Sequence, residues 1–274
     1  MALSADYTSN LSFPLLRVIP YQIFSGSYNM ALDTVLAQST RPDNMPILRF
    51  YGWKPYCVSI GHHQNEKDLD LNEIRQAGCQ AVRRPTGGSA IFHSEELTYA
   101  FIVPRKSYNQ HKLYHFIHVC FAEALQNLGF AVTLQQEKLT DNYLKKGKST
   151  FACFNRAAQS ELRLHGKKLL GSAQKLYSDS ILQHGSLLIG SRQNKIVRFL
   201  NKDDKEKTKI KNYLQEHSVS LHDITKKYVD PLLLSDAVIE VFGRYSNNQV
   251  YYQYPTPEEE KKALAQEKEF RLIR

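Results

Sequence analysis

The spacing of apolar residues along the chain predicts several helices. After Ser25, apolar side chains recur at three- and four-residue intervals as far as Leu36, as in an amphipathic helix with a serine cap. The same spacing over 112–128, followed by Gly129, predicts a second helix that ends at a C-cap glycine. Weaker helical patterns cover 69–77, 232–242 and 257–270.

Short runs rich in β-branched and aromatic residues, bounded by glycine or proline, predict strands. Runs 47–51 and 57–60 flank a turn at 52–55, so we expect them to pair. His165 and Gly166 predict a second hairpin. Further predicted strands cover 81–84, 90–93, 97–103, 160–164, 168–173 and 181–189, the last interrupted at 183–185. Strands interleaved with helices in no regular rhythm favour an α+β fold, a mixed central sheet flanked by helices.

The segment 202–211 contains five lysines and three acidic residues around a single isoleucine, which predicts a solvated loop or a charged helix end. We therefore predict a single catalytic domain over 1–274. It should carry a charged loop at 201–216 and a helical C-terminal extension at 217–274 packed on the body.

Composition narrows the class of protein. The 274 residues are 42% hydrophobic and 23% charged, which excludes collagen-like, low-complexity and disordered chains. No apolar run is long enough to span a membrane and no leader pattern is present, so we expect a cytoplasmic protein with no membrane partner. The net charge of +9 favours an acidic partner: a nucleic acid, a membrane face or a protein. The four cysteines lie too far apart for a structural zinc site and should be free thiols.

Two stretches have residue types that suit chemistry. The run 83–88, Arg-Arg-Pro-Thr-Gly-Gly, joins two arginines to a glycine turn that could bind a phosphate or acyl phosphate, although a tight turn between strands explains the glycines equally well. Cys153 stands between aromatic residues, where it could be buried core or a nucleophile. Lys167 and Lys168, one strand later, could stabilise a thiolate.

Four motifs in order carry a family resemblance. They are the run 46–53 leading to 59–61 and Gln64, the run 83–88 leading to His93, the run 166–174 (Gly-Lys-Lys-Leu-Leu-Gly-Ser-Ala-Gln), and the run 182–187 (Leu-Gln-His-Gly-Ser-Leu). Together they resemble the biotin and lipoate protein ligase superfamily, strongly over 28–189. That resemblance implies a catalytic fold like that of biotin protein ligases and class II aminoacyl-tRNA synthetases. The Ala-Cys-Phe run at 152–154 is similar to that of the cysteine-dependent octanoyltransferases.

The resemblance implies a role for each matching residue. Cys153 would be the nucleophile, and Lys168 would contact the reacting carbonyl. The substrate-binding positions would be Arg83, Arg84, Thr86, Gly87, Gly88, His93, Gly171, Ser172, Ala173, His184 and Gly185. Ile91, Leu169 and Leu170 are candidates to line an acyl tunnel, with core packing as the other explanation for each. One departure is that the family usually has His-Asp where this chain has His93 and Ser94, so the role of His93 is open.

The activity implied is octanoyl transfer from octanoyl acyl-carrier protein to a lysine of a lipoyl domain, through an S-octanoyl-cysteine. Acceptors would be lipoyl-domain proteins such as the glycine cleavage H protein or the E2 subunit of 2-oxoacid dehydrogenases. No cofactor, metal or nucleic acid is expected. Alternatives are an ATP-dependent lipoate ligase, an octanoyl amidotransferase between lipoyl domains and, from another class, a nucleic-acid-binding module. Acyl-chain length, the particular acceptor and the oligomeric state stay open.

Overall fold

A mixed six-stranded sheet lies at the centre of the fold. The structure is a computed structural model and describes residues 11–135 and 161–273. The strands are β1 (Leu16–Phe24), β2 (Ile47–Trp53), β3 (Cys57–Ile60), β4 (Gln80–Arg83), β5 (Ile91–His93), β6 (Glu96–Pro104), β7 (Val132–Gln135), β8 (Glu161–Leu164), β9 (Lys167–Lys168), β10 (Leu170–Leu176), β11 (Ser180–Leu188) and β12 (Val250–Tyr252).

The helices are α1 (Gly26–Ser39), α2 (Leu71–Gln76), α3 (Gln110–Asn127), α4 (Asp204–His217), α5 (Leu221–Thr225), α6 (Pro231–Arg244) and α7 (Pro257–Gln266). Short 3-10 helices cover Glu66–Asp68, Arg105–Ser107, Arg192–Phe199 and Glu267–Phe270. Within the described ranges, no helix has both the length and the apolar character needed to cross a bilayer.

The strand order in the large sheet is β10-β11-β6-β2-β1-β12. Within β10-β11-β6-β2 each strand is antiparallel to the next, whereas β1 is parallel to both β2 and β12. Two three-stranded sheets, β4-β3-β5 and β7-β8-β9, accompany it. The predicted α+β class with a mixed sheet is confirmed.

Alternation along β6 shows how the sheet separates two apolar layers. Tyr99 and Phe101 belong to the core on the side of α3 and α6, whereas Ala100 and Ile102 belong to the core on the side of α1. Since successive strand residues point to opposite faces, a strand that is buried on both faces is apolar throughout. Helix α1 in turn lies between the sheet and α7, so it is buried almost all round.

Most predicted elements are confirmed, and so are the signals that start or end three of the helices. Ser25 accepts a hydrogen bond from the backbone of Tyr28 at the start of α1. Gly78 and Gly129 have φ values of +66° and +87° just after α2 and α3, where a left-handed residue ends a helix. The hairpin around His165 and Gly166 forms between β8 and β9.

Other predictions about the elements are wrong. β2 and β3 do not pair, because β2 lies between β1 and β6 in the large sheet while β3 lies in a small one. β11 is continuous through 183–185. The predicted charged loop at 201–216 is mostly helix, since α4 begins at Asp204 under the cap of Asp203. The extension at 217–274 is not wholly helical, because it contains β12, which extends the main sheet beside β1.

Candidate active site

A small cavity opens where α1 meets the strands of the large sheet and β5. Its walls are mainly apolar side chains, aromatic rings and strand backbone. The residues that line it are Met30, Tyr51, Trp53, Arg84, Ile91, His93, Thr98, Gly171, Ser172, Ala173, His184, Gly185 and Ser186. A concave, largely apolar site with a few fixed polar groups is typical of small-molecule binding.

The structure brings seven of the predicted substrate-binding residues to this cavity: Arg84, His93, Gly171, Ser172, Ala173, His184 and Gly185. Ile91 lines it as expected, whereas Leu169 and Leu170 are fully buried in the core. Arg83, Thr86, Gly87, Gly88 and Lys168 lie outside its lining. Cys153 is outside the described residues.

The two adjacent arginines do different things. Arg84 is buried and donates hydrogen bonds to the carbonyl oxygens of Ser59, Gly87 and Ser89 at 2.8–3.3 Å, so it holds the glycine turn against β3. Arg83 points the other way and donates to carbonyl oxygens of 61–64. Arg84 therefore shapes the cavity, and Arg83 fixes a neighbouring loop.

His93 forms one wall of the cavity and takes part in a buried hydrogen-bond chain. Its ring stacks on Trp53 with 3.9 Å between centroids. Its Nδ1 lies 2.6 Å from Glu96 Oε1, and its Nε2 lies 2.7 Å from Ser59 Oγ. Ser94 stands where the family usually has an aspartate. Glu96, three residues after His93, thus supplies a carboxylate to the ring. With both nitrogens engaged, the ring of His93 is held in place as a wall of the cavity.

Glu96 is the centre of this chain. It also accepts hydrogen bonds from Thr98 Oγ1 at 2.6 Å and Ser186 Oγ at 2.8 Å. Burial alone would raise the pKa of Glu96, but the charge of His93 and these hydrogen bonds hold it below the usual value. The carboxylate is therefore ionised at neutral pH and fixes the ring of His93.

A second buried chain supports His184 on the opposite wall. His184 Nε2 lies 2.6 Å from Thr86 Oγ1, and its Nδ1 lies 3.4 Å from Asp33 Oδ2. Asp33 also accepts from Arg49 at 2.6 Å and from Tyr51 at 2.7 Å. Burial lowers the pKa of His184 below its ordinary value despite the attraction of Asp33. A neutral imidazole therefore faces the cavity, and Thr86, which lies outside the cavity lining, contributes by holding this ring in place.

A hydroxyl cluster positions the strand that carries Gly171 to Ala173. Ser172 Oγ lies 2.7 Å from Tyr99 OH and 2.9 Å from His118 Nε2. Gly185 faces Ser172 across β10 and β11, and a Cβ built on Gly185 would lie 2.5 Å from Ser172 Oγ. Only glycine lets the two strands approach this closely.

Lys168 is buried, with 7% of its surface exposed, and its Nζ lies 3.1 Å from Glu161 Oε1. Lys167 instead donates from Nζ to the carbonyl oxygen of Gln215 at the surface. The structure therefore separates the two lysines by environment, and Lys168 is the one with a fixed ammonium and an acidic counter-ion.

Several residues of the site were not among the predicted site residues. Met30, Tyr51, Trp53, Thr98 and Ser186 line the cavity, and Asp33 and Glu96 hold its histidines. Glu96 could have been found from the sequence, because it is the acidic residue three positions after His93, across the turn between β5 and β6. Asp33 gave no local signal, because the residues that it contacts lie on β2 and β11, far from it along the chain.

Residues 25–243 match the model of the lipoyl protein ligase A/B catalytic domain, a stretch that includes every residue of this cavity. The chain belongs to this family. The resemblance drawn from the four motifs is thereby confirmed.

Curated relatives within the family are named octanoyltransferases. Octanoyltransferase LipM of Lysinibacillus sphaericus is 36% identical over 216 residues, covering 75% of this chain and 77% of that protein. Octanoyltransferase LipM of Brevibacillus brevis is 32% identical over 263 residues and covers 92% and 93%.

Solved structures of the family have the same fold. The bipartite lipoate protein ligase of Thermoplasma acidophilum, solved with its E2 lipoyl domain, superposes with a TM-score of 0.73 at 19% identity and covers 93% of this chain and 92% of that one. A lipoate-protein ligase A bound with ATP gives a TM-score of 0.71 at 18% identity, covering 93% and 94%.

Proposed function

We propose that this protein is an octanoyltransferase of lipoate biosynthesis. It takes an octanoyl group from octanoyl acyl-carrier protein and transfers it to a lysine of a lipoyl domain, through an S-octanoyl intermediate on Cys153. The observation that carries the proposal is the cavity, whose lining suits an unbranched acyl chain. The names of the curated relatives support octanoyl transfer.

The polar side chains of the cavity wall are engaged by partners within the protein. His184 is neutral, and both nitrogens of His93 and of His184 already have partners. The guanidinium of Arg84 donates its hydrogen bonds to backbone carbonyl oxygens. An acyl chain in the cavity would pack on the apolar side chains of Trp53, Ile91 and Met30. Burying such a chain contributes about 0.8 kcal/mol per methylene.

The chemistry needs no external energy source. The Cys153 thiolate attacks the carbonyl of the octanoyl thioester, a C–S bond forms, and the carrier leaves as a thiolate that takes a proton. The amine of the acceptor lysine then attacks the enzyme thioester, loses a proton, and releases Cys153. Exchange between thioesters is nearly balanced, and formation of an amide is downhill, so ATP is not required.

Lys168 fits an electrostatic role. Its ammonium is buried next to Glu161 and lies on the strand that leads into Gly171, Ser172 and Ala173 at the cavity wall. A fixed positive charge at this place stabilises a thiolate and the oxyanion that develops on the attacked carbonyl.

Intact mass spectrometry tests the proposal. The protein mixed with octanoyl acyl-carrier protein, without ATP or metal, should gain the mass of one octanoyl group. Addition of a lipoyl domain should then move that mass to the acceptor. A chain that gains nothing from the carrier, but modifies the lipoyl domain with octanoate and ATP, would be a ligase. A chain loaded only by an octanoylated lipoyl domain would be an amidotransferase.

A further inference from the structure

Positive charge is concentrated on one part of the fold, next to the hairpin that carries Lys168. Residues 192–211 contain eight lysines and arginines and three acidic residues, a net charge of +5 out of +9 for the chain. These residues form the 3-10 helix Arg192–Phe199 and the first half of α4. The charge is therefore local and not a general property of the surface.

The lysines of α4 stand apart from the arginines before them. Arg192, Arg198 and Lys202 pair with acidic side chains. Four lysines, Lys205, Lys207, Lys209 and Lys211, have no acidic partner within 4 Å among the described residues, and we call them the α4 lysines.

The placement of the α4 lysines costs helix stability. Lys205 and Lys209, and likewise Lys207 and Lys211, are four residues apart, so each pair places like charges on neighbouring turns. In the first turn, Lys205 and Lys207 also oppose the macrodipole, an effect that Asp204 and Glu206 in the same turn offset. Helix formation therefore does not explain them, and a partner with the opposite charge does.

The C-terminal end of α4 is joined directly to the Lys168 hairpin. The backbone N–H of Val219 donates to the carbonyl oxygen of Lys168 at 3.0 Å, and Lys167 Nζ donates to Gln215. At 1.5 Å per residue, Lys211 lies roughly 10 Å, and Lys205 roughly 20 Å, along the helix from Ser218. The charged surface thus starts close to the proposed reaction centre and leads away from it.

We propose that the α4 lysines dock the acidic carrier protein that donates the acyl group. This inference rests on the proposed function. A carrier presents its thioester on a phosphopantetheine arm as long as about five extended residues, roughly 17 Å. A carrier bound to the α4 lysines therefore brings its thioester to Lys168. An acceptor lysine has a much shorter side chain, so the acceptor domain must sit directly over the site.

Charge reversal in the full chain tests the docking surface. The variant Lys205→Glu with Lys209→Glu keeps one like-charge pair at this spacing and puts an acidic residue in the first turn, where the helix dipole favours it, so α4 should stay folded. We expect its KM for octanoyl acyl-carrier protein to rise about tenfold at low salt. With an uncharged donor, S-octanoyl N-acetylcysteamine, kcat/KM should change less than about twofold, because exposed charges do not attract a neutral thioester.

The matched control is Lys261→Glu with Lys268→Glu, which makes the same change in net charge on the C-terminal segment that packs against α1. It should leave KM for the carrier close to wild type. Equal effects in the two variants, or a rise in KM for the lipoyl domain and not for the carrier, would overturn the assignment. Salt-sensitive tRNA binding that is lost with the α4 lysines would also overturn it. If the wild type accepts octanoyl from neither donor, the proposed function fails, and not the docking surface alone.

Discussion

Among the cysteines, only Cys153 is expected to be essential. Cys57 and Cys120 are buried, and burial raises the pKa of both thiols well above the ordinary value, so neither supplies a thiolate near neutral pH. Cys153→Ala should abolish both the octanoyl mass gain and transfer, with an unchanged unfolding transition. Alanine at Cys57, Cys79 or Cys120 should retain activity. An active Cys153→Ala variant would remove the covalent mechanism.

The two lysines of the hairpin should behave differently. Lys168→Ala removes the buried ammonium beside Glu161, and we expect acyl-enzyme formation to slow by about 10² to 10³. Lys167→Ala, which loses only a surface hydrogen bond to Gln215, is the control and should stay within about twofold of wild type. Rapid-quench mass spectrometry gives both rates. The opposite pattern would assign the reactive role to Lys167.

The neutral state of His184 predicts a pH dependence of stability. Its pKa in the folded protein is below the ordinary 6.5, so below that pH the unfolded chain takes up a proton that the folded chain does not. The free energy of unfolding should fall by up to about 1.4 kcal/mol per pH unit from this group until the folded pKa is passed. When the free energy of unfolding is measured with urea at several pH values between 7.5 and 5, it should change less steeply with pH in His184→Gln than in the wild type. The exposed His111→Gln should keep the wild-type slope.

At the scale of elements, the contact of β10 with β11 limits what Gly185 can become. A Cβ there would lie 2.6 Å from the Gly171 carbonyl oxygen as well as 2.5 Å from Ser172 Oγ, so the strands must separate at the cavity wall. Gly185→Ala should cost about 1–3 kcal/mol of unfolding free energy and lower kcat/KM for the octanoyl donor. Gly87→Ala, where a Cβ meets nothing within 4 Å, should be tolerated in both measurements. Equal stability of the two variants would contradict this packing.

The elements also show what the sequence can predict. Helix ends were predictable because Ser25, Gly78 and Gly129 act locally through caps and left-handed residues. The partner of β2 was not, because apolar runs on either side of a short turn have the pattern of a hairpin, whereas the sheet pairs β2 with β1 and β6. Helix α4 was not predicted as a helix, because its sequence is highly charged and Leu214 is its one buried residue, so the apolar spacing of a helix is missing.

In the site, too, residues marked by a local pattern could be predicted, and residues placed by distant contacts could not. Motifs found the glycine turn, His93 and His184, since these residues occur in characteristic runs. Asp33 escaped because it lies on α1, 151 residues before His184, and is buried where α1 packs against Arg49 and Tyr51 of β2 and His184 of β11. Such a position depends on the packing of the whole chain, which no local pattern reports.

At the scale of the whole molecule, one ion pair joins the beginning of the fold to its end. Arg17 in β1 and Glu259 in α7 make two hydrogen bonds of 2.8 Å, and Arg17 is buried. Glu259→Ala leaves that guanidinium without its carboxylate and should lower the free energy of unfolding by about 3 kcal/mol. Glu258→Ala, which loses only a surface pair with Lys262, should leave the denaturant midpoint unchanged. Similar midpoints for the two variants would show that the pair does not hold α7.

The fastening of α1 by the C-terminal segment also sets an order of events during synthesis. Glu267 accepts hydrogen bonds from Ser25 and Ser27 at the start of α1, the helix that carries Met30 and Asp33 to the cavity. At about 5–20 residues per second, a ribosome reaches Glu267 roughly 10 to 50 seconds after it has made α1. These hydrogen bonds therefore form well after α1 itself has been made, so the wall of the cavity that α1 supplies is fastened late in synthesis.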